Sequence, residues 1–331
     1  MIESWLSYGW WVGAILIVVG FVALVKGADW LVDGASAIAK RFGISDLVIG
    51  LTVVAFGTSM PEFVVNMVSV AEGSTDLAIT NILGSNIINT FVILGLTALV
   101  YPIVSQKRSR HFDIPLSLIA GILVLIMVAV QLPFGETERG IGRSGGVILL
   151  LFFVYFLYNT FRHAKEHPED VEAASSQPSA ISPRRAIALM LGGFVGLVVG
   201  GELIVKSAVD IATRMGVSEA VIGLTVVALG TSLPELATSV IAAAKHNSDI
   251  ALGNVFGSNI FNVFFVLATS ATIRPLPAYT GIEVDAMMAT LGSIIVWLAV
   301  KTNSERKVKR WAGALLLLVY AGYLTYRLMS V

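Results

Sequence analysis

The chain has 331 residues, of which 56% are hydrophobic and 13% are charged, with a mean hydropathy of +0.83. Soluble domains carry about 25% charged residues, so this composition indicates a polytopic membrane protein. The formal net charge is zero and the chain has no cysteine. These two facts argue against a nucleic-acid partner and exclude disulfides, thiolate metal sites and thiol redox chemistry.

Ten apolar runs reach or approach the length of about 20 residues that a bilayer-spanning helix requires. They lie at 12–39, 47–70, 77–101, 113–132, 144–161, 186–212, 220–243, 250–271, 283–300 and 310–329. The first run follows a segment without basic residues and contains Lys26, Asp29 and Asp33, which favours a retained helix over a cleaved signal peptide. We therefore predict an all-α polytopic membrane protein with ten transmembrane helices.

One polar segment, 163–185, is rich in proline, serine and acidic residues, a composition typical of flexible linkers. It separates a first half, 1–162, from a second half, 186–331, and each half contains five predicted helices. The halves align without a gap at an offset of 173 residues, so GLTVVAFGTSMPE at 50–62 matches GLTVVALGTSLPE at 223–235. Because five is an odd number, the second half must cross the membrane in the opposite sense. The sequence thus predicts two inverted-topology five-helix repeats.

The distribution of lysine and arginine predicts the orientation of the helices. Loops after predicted helices 1, 3, 5, 7 and 9 hold 15 of these residues, and the other side holds five. The positive-inside rule therefore places the linker 163–185 in the cytoplasm and both termini outside.

Each copy of the repeated motif carries a glutamate near the middle of a predicted helix, Glu62 in the first half and Glu235 in the second. A carboxylate at that depth costs at least about 3 kcal/mol. A pair of buried acids satisfied by neighbouring helices would be the simplest explanation. The duplication instead favours one shared site in which bound cations compensate the charge.

A proline precedes each glutamate, Pro61 before Glu62 and Pro234 before Glu235. Its ring clashes with the carbonyl four residues earlier, at Gly57 and at Gly230, and we expect this clash to open the helix and free carbonyl oxygens. Such oxygens are tolerated at membrane depth only against protein or in a wet cavity. A packing kink is the alternative.

Neutral oxygen ligands recur at a spacing of four residues, which places them on one face of a helix. The pairs are Thr58 with Glu62, Thr231 with Glu235, Ser85 with Asn89 and Ser258 with Asn262, and Ser59 and Ser232 adjoin the threonines. An all-oxygen set suits a hard cation such as Ca²⁺, which takes 6–8 oxygen ligands. The histidines (111, 163, 167 and 246) are expected in loops, so zinc, copper and iron are poor candidates.

The motifs GTSMPE with GSNIIN, and GTSLPE with GSNIFN, resemble the two α-repeats of the cation/Ca²⁺ exchanger superfamily, in its sodium/calcium exchanger branch. The resemblance covers all ten predicted helices, and the short linker resembles that of prokaryotic members. It implies a secondary active antiporter in a prokaryotic inner membrane that exchanges Ca²⁺ for Na⁺ by alternating access. It further implies that the protein has no cofactor, that its partners are inorganic cations and the bilayer, and that it functions as a monomer without a protein partner.

The resemblance also implies roles for individual residues. Glu62 and Glu235 would bind Ca²⁺ bidentately, or Na⁺ when Ca²⁺ is absent, and predicted helices 1 and 6 would slide across the remaining bundle. The other implied ligands are the hydroxyls of Thr58 and Thr231, the carbonyls of Ala55 and Ala228, the hydroxyls of Ser59, Ser85, Ser232 and Ser258, and the central Asn89 and Asn262.

Some members of the superfamily have an aspartate where this chain has Asn262. The central site here therefore has two carboxylates, which one Ca²⁺ or two Na⁺ would neutralise. Ca²⁺/H⁺ exchange through the same glutamates, K⁺ coupling and a cation channel are alternatives to Na⁺-driven exchange. A membrane enzyme is disfavoured, because no nucleophile, base or metal set is predicted at the depth of the glutamates.

Overall fold

The computed structural model describes residues 10–130, 139–166, 181–216 and 228–329, and nearly all of them are helical. The helices are α1 (Trp10–Phe42), α2 (Asp46–Thr58), α3 (Met60–Glu72), α4 (Thr75–Val100), α5 (Ser109–Ala129), α6 (Arg143–Glu166), α7 (Pro183–Arg214), α8 (Ala228–Thr231), α9 (Leu233–Ala244), α10 (Ser248–Ile273), α11 (Ile282–Thr302) and α12 (Arg310–Met329).

Within these ranges, eight helices are long and apolar enough to cross a membrane, and α2 with α3 would form a ninth span if the bent pair is counted as one. The prediction of a helical, multi-pass membrane protein is therefore confirmed. The predicted span at 220–243 lies partly outside the described residues, as does most of the predicted linker at 163–185.

Four two-residue strands, which the all-α prediction did not include, form two small antiparallel sheets. In one, β1 (Ile103–Val104) pairs with β4 (Lys307–Val308), and in the other, β2 (Gly140–Ile141) pairs with β3 (Leu276–Pro277). Helix α5, about 30 Å long at 1.5 Å per residue, begins shortly after β1 and packs against β2. The sheets therefore tie loops together at opposite ends of the helix bundle.

The helices differ sharply in how much of their surface lies inside the protein. In the most apolar stretch of α10, 94% of the residues are buried, whereas in that of α7 only 22% are. The exposed side chains of α1 and α7 are mostly large and apolar, including Val18, Phe21, Leu191 and Val195. Such a surface suits lipid, because its side chains are apolar and because a helix satisfies its own backbone hydrogen bonds in the hydrocarbon.

Helices α1 and α7 pack against each other, backbone to backbone, through glycines. Gly20 lies against Gly200, and Gly27 lies against Gly193, so the two helices run antiparallel. A Cβ added at Gly27 would lie 2.7 Å from the Leu197 nitrogen and 2.8 Å from the Gly193 oxygen. Small residues allow this close approach in membranes, and they make α1 and α7 one unit with a shared exposed surface.

The helix breaks near the repeated motif differ in detail from the prediction. Helix α2 is followed by α3 at a bend of 45°, and the break falls at Ser59, with φ −87° and ψ 7°. Ser232 breaks the second motif with φ −88° and ψ 5°. Pro61 and Pro234 each stand in the first turn of the following helix, where a missing N–H costs nothing. The serines, each two residues before the proline, therefore carry the interruption.

Helices α4 and α10 contain wider, π-helical turns at Ile88–Ile93 and Asn262–Leu267. Such turns are rare and often occur at functional sites. The histidine prediction is partly wrong, because His111 and His163 lie in the terminal turns of α5 and α6 and not in loops.

We expect Gly27→Ala to lower the thermal unfolding temperature of the detergent-solubilised protein. The added methyl group overpacks the α1–α7 contact at a cost of about 1–3 kcal/mol, more than the roughly 1 kcal/mol that alanine gains over glycine in a helix. Gly201→Ala in α7 is the matched control, because no atom lies within 4 Å of its added Cβ. Equal unfolding temperatures for the two variants would contradict the proposed close contact.

Candidate cation site

The two motif glutamates lie in the first turns of α3 and α9, and both are 0% exposed. Serines of the opposite motif copy reach them. Ser232 Oγ donates to Glu62 Oε1 at 3.3 Å, and Ser59 Oγ donates to Glu235 Oε1 at 2.7 Å. The two copies therefore cross over each other, and the glutamates belong to one site.

Helices α4 and α10 add a second serine to each glutamate. Ser85 Oγ donates to Glu62 Oε1 at 3.4 Å, and Ser258 Oγ donates to Glu235 Oε1 at 3.3 Å. Each Oε1 atom thus accepts two hydroxyl hydrogen bonds, one from a serine at a helix break and one from a serine within α4 or α10. These bonds fix the carboxylates and leave their second oxygens available.

Several of the buried oxygens at this site have no hydrogen-bond partner. They are Glu62 Oε2, Glu235 Oε2, Asn89 Oδ1, Asn262 Oδ1 and Thr231 Oγ1. Buried polar atoms nearly always have a partner, and each exception calls for an explanation. Four of these five atoms form two pairs at equivalent positions of the repeated motifs and can only accept or coordinate. A bound cation would satisfy them together.

Two asparagines that were not among the predicted ligands, Asn86 and Asn259, orient the side-chain amides of Asn89 and Asn262. Asn89 Nδ2 donates to Asn259 Oδ1 at 3.2 Å, and Asn262 Nδ2 donates to Asn86 Oδ1 at 3.1 Å. Asn259 in turn donates to Thr90 Oγ1 at 2.8 Å, and Asn86 to the Asn259 carbonyl at 3.2 Å. Because the nitrogen of each central amide is bound, its oxygen side is left free for a ligand.

Asn86 and Asn259 could have been found from the sequence. They occupy the same place in GSNIIN and GSNIFN, three residues before Asn89 and Asn262, and residues three apart share a helix face as residues four apart do. The prediction used only the four-residue spacing, so it did not include Asn86 and Asn259.

The remaining predicted ligands differ in how they are placed. Thr58 Oγ1 donates to Asn254 Oδ1 at 3.0 Å and lies 3.3 Å from the Ala55 oxygen. That oxygen also accepts the Ser59 N–H at 3.0 Å. Ala228 begins α8 directly after residues that the structure does not describe. The structure therefore brings the serines to the glutamates and places the central asparagines one turn along α4 and α10 from Ser85 and Ser258, whereas Thr58 and Ala55 already have partners.

The chemistry of this site favours hard cations. Among the described residues, no group of three or more histidine, cysteine, aspartate or glutamate side chains could hold a metal, so the negative charge comes from two carboxylates. Hydroxyl and amide oxygens supply the rest, and oxygen-only sets suit Ca²⁺ and similar ions. Two ionised carboxylates in a low dielectric repel each other and lose their hydration. The attraction of a cation between them would offset both unfavourable free energies.

A cavity of about 210 Å³ between α4, α11 and α12 reaches the site. Ser85 and Thr231 line its inner part, and Leu77, Asp285 and Arg327 line it towards the ends of the helices. Leu77 lies near the start of α4 and Arg327 near the end of α12. The cavity therefore approaches the site from the bundle end that holds the turn between α3 and α4.

Comparisons with known proteins agree with this chemistry. The family described as "Sodium/calcium exchanger protein" matches residues 12–162 and 185–329. The putative antiporter CaxA of Alkalimonas amylolytica is 35% identical over 94% of this chain and 97% of its own length. The sodium/calcium exchanger MaX1 of Methanosarcina acetivorans is 33% identical over 95% and 97%. A solved structure of the sodium-calcium exchanger NCX_Mj matches with a TM-score of 0.80 and 32% identity, covering 95% of this chain and 98% of that one.

We expect Asn259→Ala to weaken Ca²⁺ binding by about tenfold or more in isothermal titration calorimetry. The change removes the acceptor that orients the Asn89 amide, and an unmet buried donor costs about 1–3 kcal/mol. Asn81→Ala is the control, since Asn81 lies on the same helix as Asn89 and bonds Asn66 at 2.8 Å away from the free oxygens. Equal losses in both variants would show that the amide orientation does not matter.

Proposed function

Because this chain belongs to the sodium/calcium exchanger family, we propose that it is an antiporter that exchanges Ca²⁺ for Na⁺ across the membrane by alternating access. Antiport of Ca²⁺ against a second cation is the function of the family. One observation supports placing it at Glu62 and Glu235, namely that their buried second oxygens have no partners, and neither do the buried amide oxygens of Asn89 and Asn262 on the helices that supply serines to the glutamates.

The charge of the site gives a reason for exchange. Two buried carboxylates without a cation are strongly unfavourable, because desolvation of each ion costs several kcal/mol. One Ca²⁺ neutralises both, and so do two Na⁺, but both loads together would leave a buried positive charge. The two kinds of ion therefore compete for the same oxygens, and a site that must be filled before it changes its access couples their movements.

The proposed ligands are those that the resemblance to the family implies, and the serine contacts to the two carboxylates support part of the set. Glu62 and Glu235 would bind Ca²⁺ through both carboxylate oxygens, and the hydroxyls of Thr58 and Thr231 would complete its shell. The proposed Na⁺ sites on either side use the serines that already contact the glutamates (Ser59, Ser85, Ser232 and Ser258) and the carbonyls of Ala55 and Ala228. Asn89 and Asn262 would provide neutral oxygens at the centre.

We further propose that ten helices form two inverted repeats, 1–162 and 186–331, joined by a cytoplasmic linker at 163–185. The reciprocal contacts, Ser59 with Glu235 and Ser232 with Glu62, support this arrangement, because equivalent residues of two repeats exchange the same interaction. The lysine and arginine distribution supports both termini outside, and the similarity to relatives from Alkalimonas amylolytica and Methanosarcina acetivorans supports a prokaryotic inner-membrane protein. A site built within one chain supports transport by a monomer.

Ca²⁺/H⁺ exchange is the second candidate, and the identity of Asn262 favours it. Two protons would satisfy the free oxygens of two carboxylates as well as two Na⁺ would, and no third carboxylate is present to hold a further Na⁺. Transport measurements can separate the two ions.

Proteoliposomes loaded with Na⁺ and diluted into Na⁺-free medium should take up ⁴⁵Ca²⁺, because outward movement of Na⁺ drives inward movement of Ca²⁺. Vesicles loaded with K⁺, and vesicles with only a pH gradient, are the controls. Uptake that depends on the pH gradient and not on Na⁺ would show that Ca²⁺ is exchanged for H⁺ and would contradict Na⁺ coupling.

Glu62→Gln and Glu235→Gln should each reduce Ca²⁺ flux by about 100-fold or more. Removing one charged partner from a buried ion contact costs about 3–5 kcal/mol, and each 1.4 kcal/mol is a factor of ten. Without ions, both variants should unfold at or above the wild-type temperature, because a buried charge has been removed, and added Ca²⁺ should no longer raise that temperature. Near-normal flux in either variant would place the site elsewhere.

A further inference from the structure

One lysine joins the α1–α7 unit to the helix that carries Glu235. Lys245 follows the last turn of α9, and its Nζ lies 2.7 Å from Asp29 Oδ1 and 2.6 Å from Asp33 Oδ1, both on α1. It also donates to the Asp29 carbonyl at 3.2 Å. All three side chains are 30–48% exposed. We refer to these three residues as the Lys245 latch.

Further contacts join α1 to the same end of the bundle. Asn247 Nδ2 donates to Ser36 Oγ on α1 at 3.1 Å and to Asp46 Oδ2 at the start of α2 at 2.6 Å. This end is opposite the one from which the cavity approaches the glutamates, since the cavity is lined by Leu77 and Arg327. Ser248, close to Lys245 in the chain, contacts Val104 just beyond the last turn of α4, so the Lys245 latch lies at the end of the bundle away from this cavity.

The repeat offset of 173 residues assigns a counterpart to each member of the latch, and the charge is reversed at Lys245 and at Asp33 but kept at Asp29. Lys245 corresponds to Glu72 at the end of α3, and Asp33 corresponds to Lys206 on α7. Asp29 corresponds to Glu202, which here pairs with Lys206 at 2.7 Å one turn along the same helix. Glu72 is exposed at the bundle end where the cavity opens. The counterparts thus have complementary charges at the open end.

We propose that Lys245 and Glu72 are positioning residues, each of which stabilises the α1–α7 unit in one of the two conformations of the transport cycle. In the conformation described here, Lys245 binds Asp29 and Asp33 and closes one end. In the opposite conformation this contact opens, Lys206 leaves Glu202, and Lys206 binds Glu72 to close the other end. This inference rests on the alternating access of the proposed function and assigns the residues that set its two states.

The strength of these contacts suits a reversible latch. Partly exposed ion pairs contribute about 0.2–1 kcal/mol each, so neither conformation is locked. Burial alone would lower the pKa of the Lys245 ammonium group, but hydrogen bonds and charges from Asp29 and Asp33 outweigh burial and raise it. Lys245 thus keeps its charge at neutral pH. The glycine contacts between α1 and α7 allow the two helices to move together, so a charge on either helix acts on both.

The test uses Gly84→Cys as a reporter in a chain that has no other cysteine. Gly84 lines the cavity, and no atom lies within 4 Å of an added Cβ. A membrane-impermeant maleimide added at the cavity end should label this cysteine in proportion to the open fraction. We expect Lys245→Glu to slow labelling by about threefold to tenfold, the shift that loss of a weak ion-pair network produces. We expect Glu72→Lys to leave labelling as fast or faster.

Charge exchange separates a latch from a general loss of stability. Asp29→Lys with Asp33→Lys should restore labelling in the Lys245→Glu background. Glu72→Lys should lower ⁴⁵Ca²⁺ flux because it disfavours the opposite conformation, and Lys206→Glu should restore that flux. Slower labelling in both Lys245→Glu and Glu72→Lys, or a change of less than twofold in Lys245→Glu, would overturn the proposal. Labelling does not depend on which ion is transported. The absence of Na⁺-driven flux would therefore contradict the proposed Na⁺ coupling, whereas the labelling rates alone test the latch.

Discussion

The burial of two carboxylates, both 0% exposed and each with one oxygen lacking a partner, is the constraint on which the rest of this structure depends. In an environment of low dielectric, such a pair is tolerable only while something positive is bound. The helix breaks, the crossing serines and the anchored amides all arrange neutral groups so that one oxygen of each carboxylate stays free. The protein is organised around a charge that its own residues do not compensate.

Neither motif copy can form this arrangement alone. Glu62 depends on Ser232 from the other copy, and Glu235 depends on Ser59. The asparagine contacts also cross, from Asn89 to Asn259 and from Asn262 to Asn86. A displacement of one motif relative to the other would therefore disturb both glutamates at once. This interdependence gives a structural reason for the close similarity of the two motif sequences.

Residues that are repeated, or whose burial in a membrane is energetically unfavourable, can be recognised from the sequence. An acid in an apolar run is expensive, so Glu62 and Glu235 could be recognised without a structure, and the four-residue spacing led to the serines and central asparagines. Asn86 and Asn259 were missed because their role is to hold other side chains, which only the hydrogen-bond pattern reveals. The helix break at Ser59 in place of the expected proline clash was missed because proline is equally compatible with a helix start.

The reciprocal serine contacts also constrain how the protein is made. When the ribosome has completed α3, Glu62 is already in or near the bilayer, but Ser232, which follows Glu62 by 170 residues in the chain, has not yet been made. A carboxylate in that position is far more stable when protonated or when still in water. The first half therefore cannot reach its final packing during its own synthesis, and insertion of the second half completes the folding of the first.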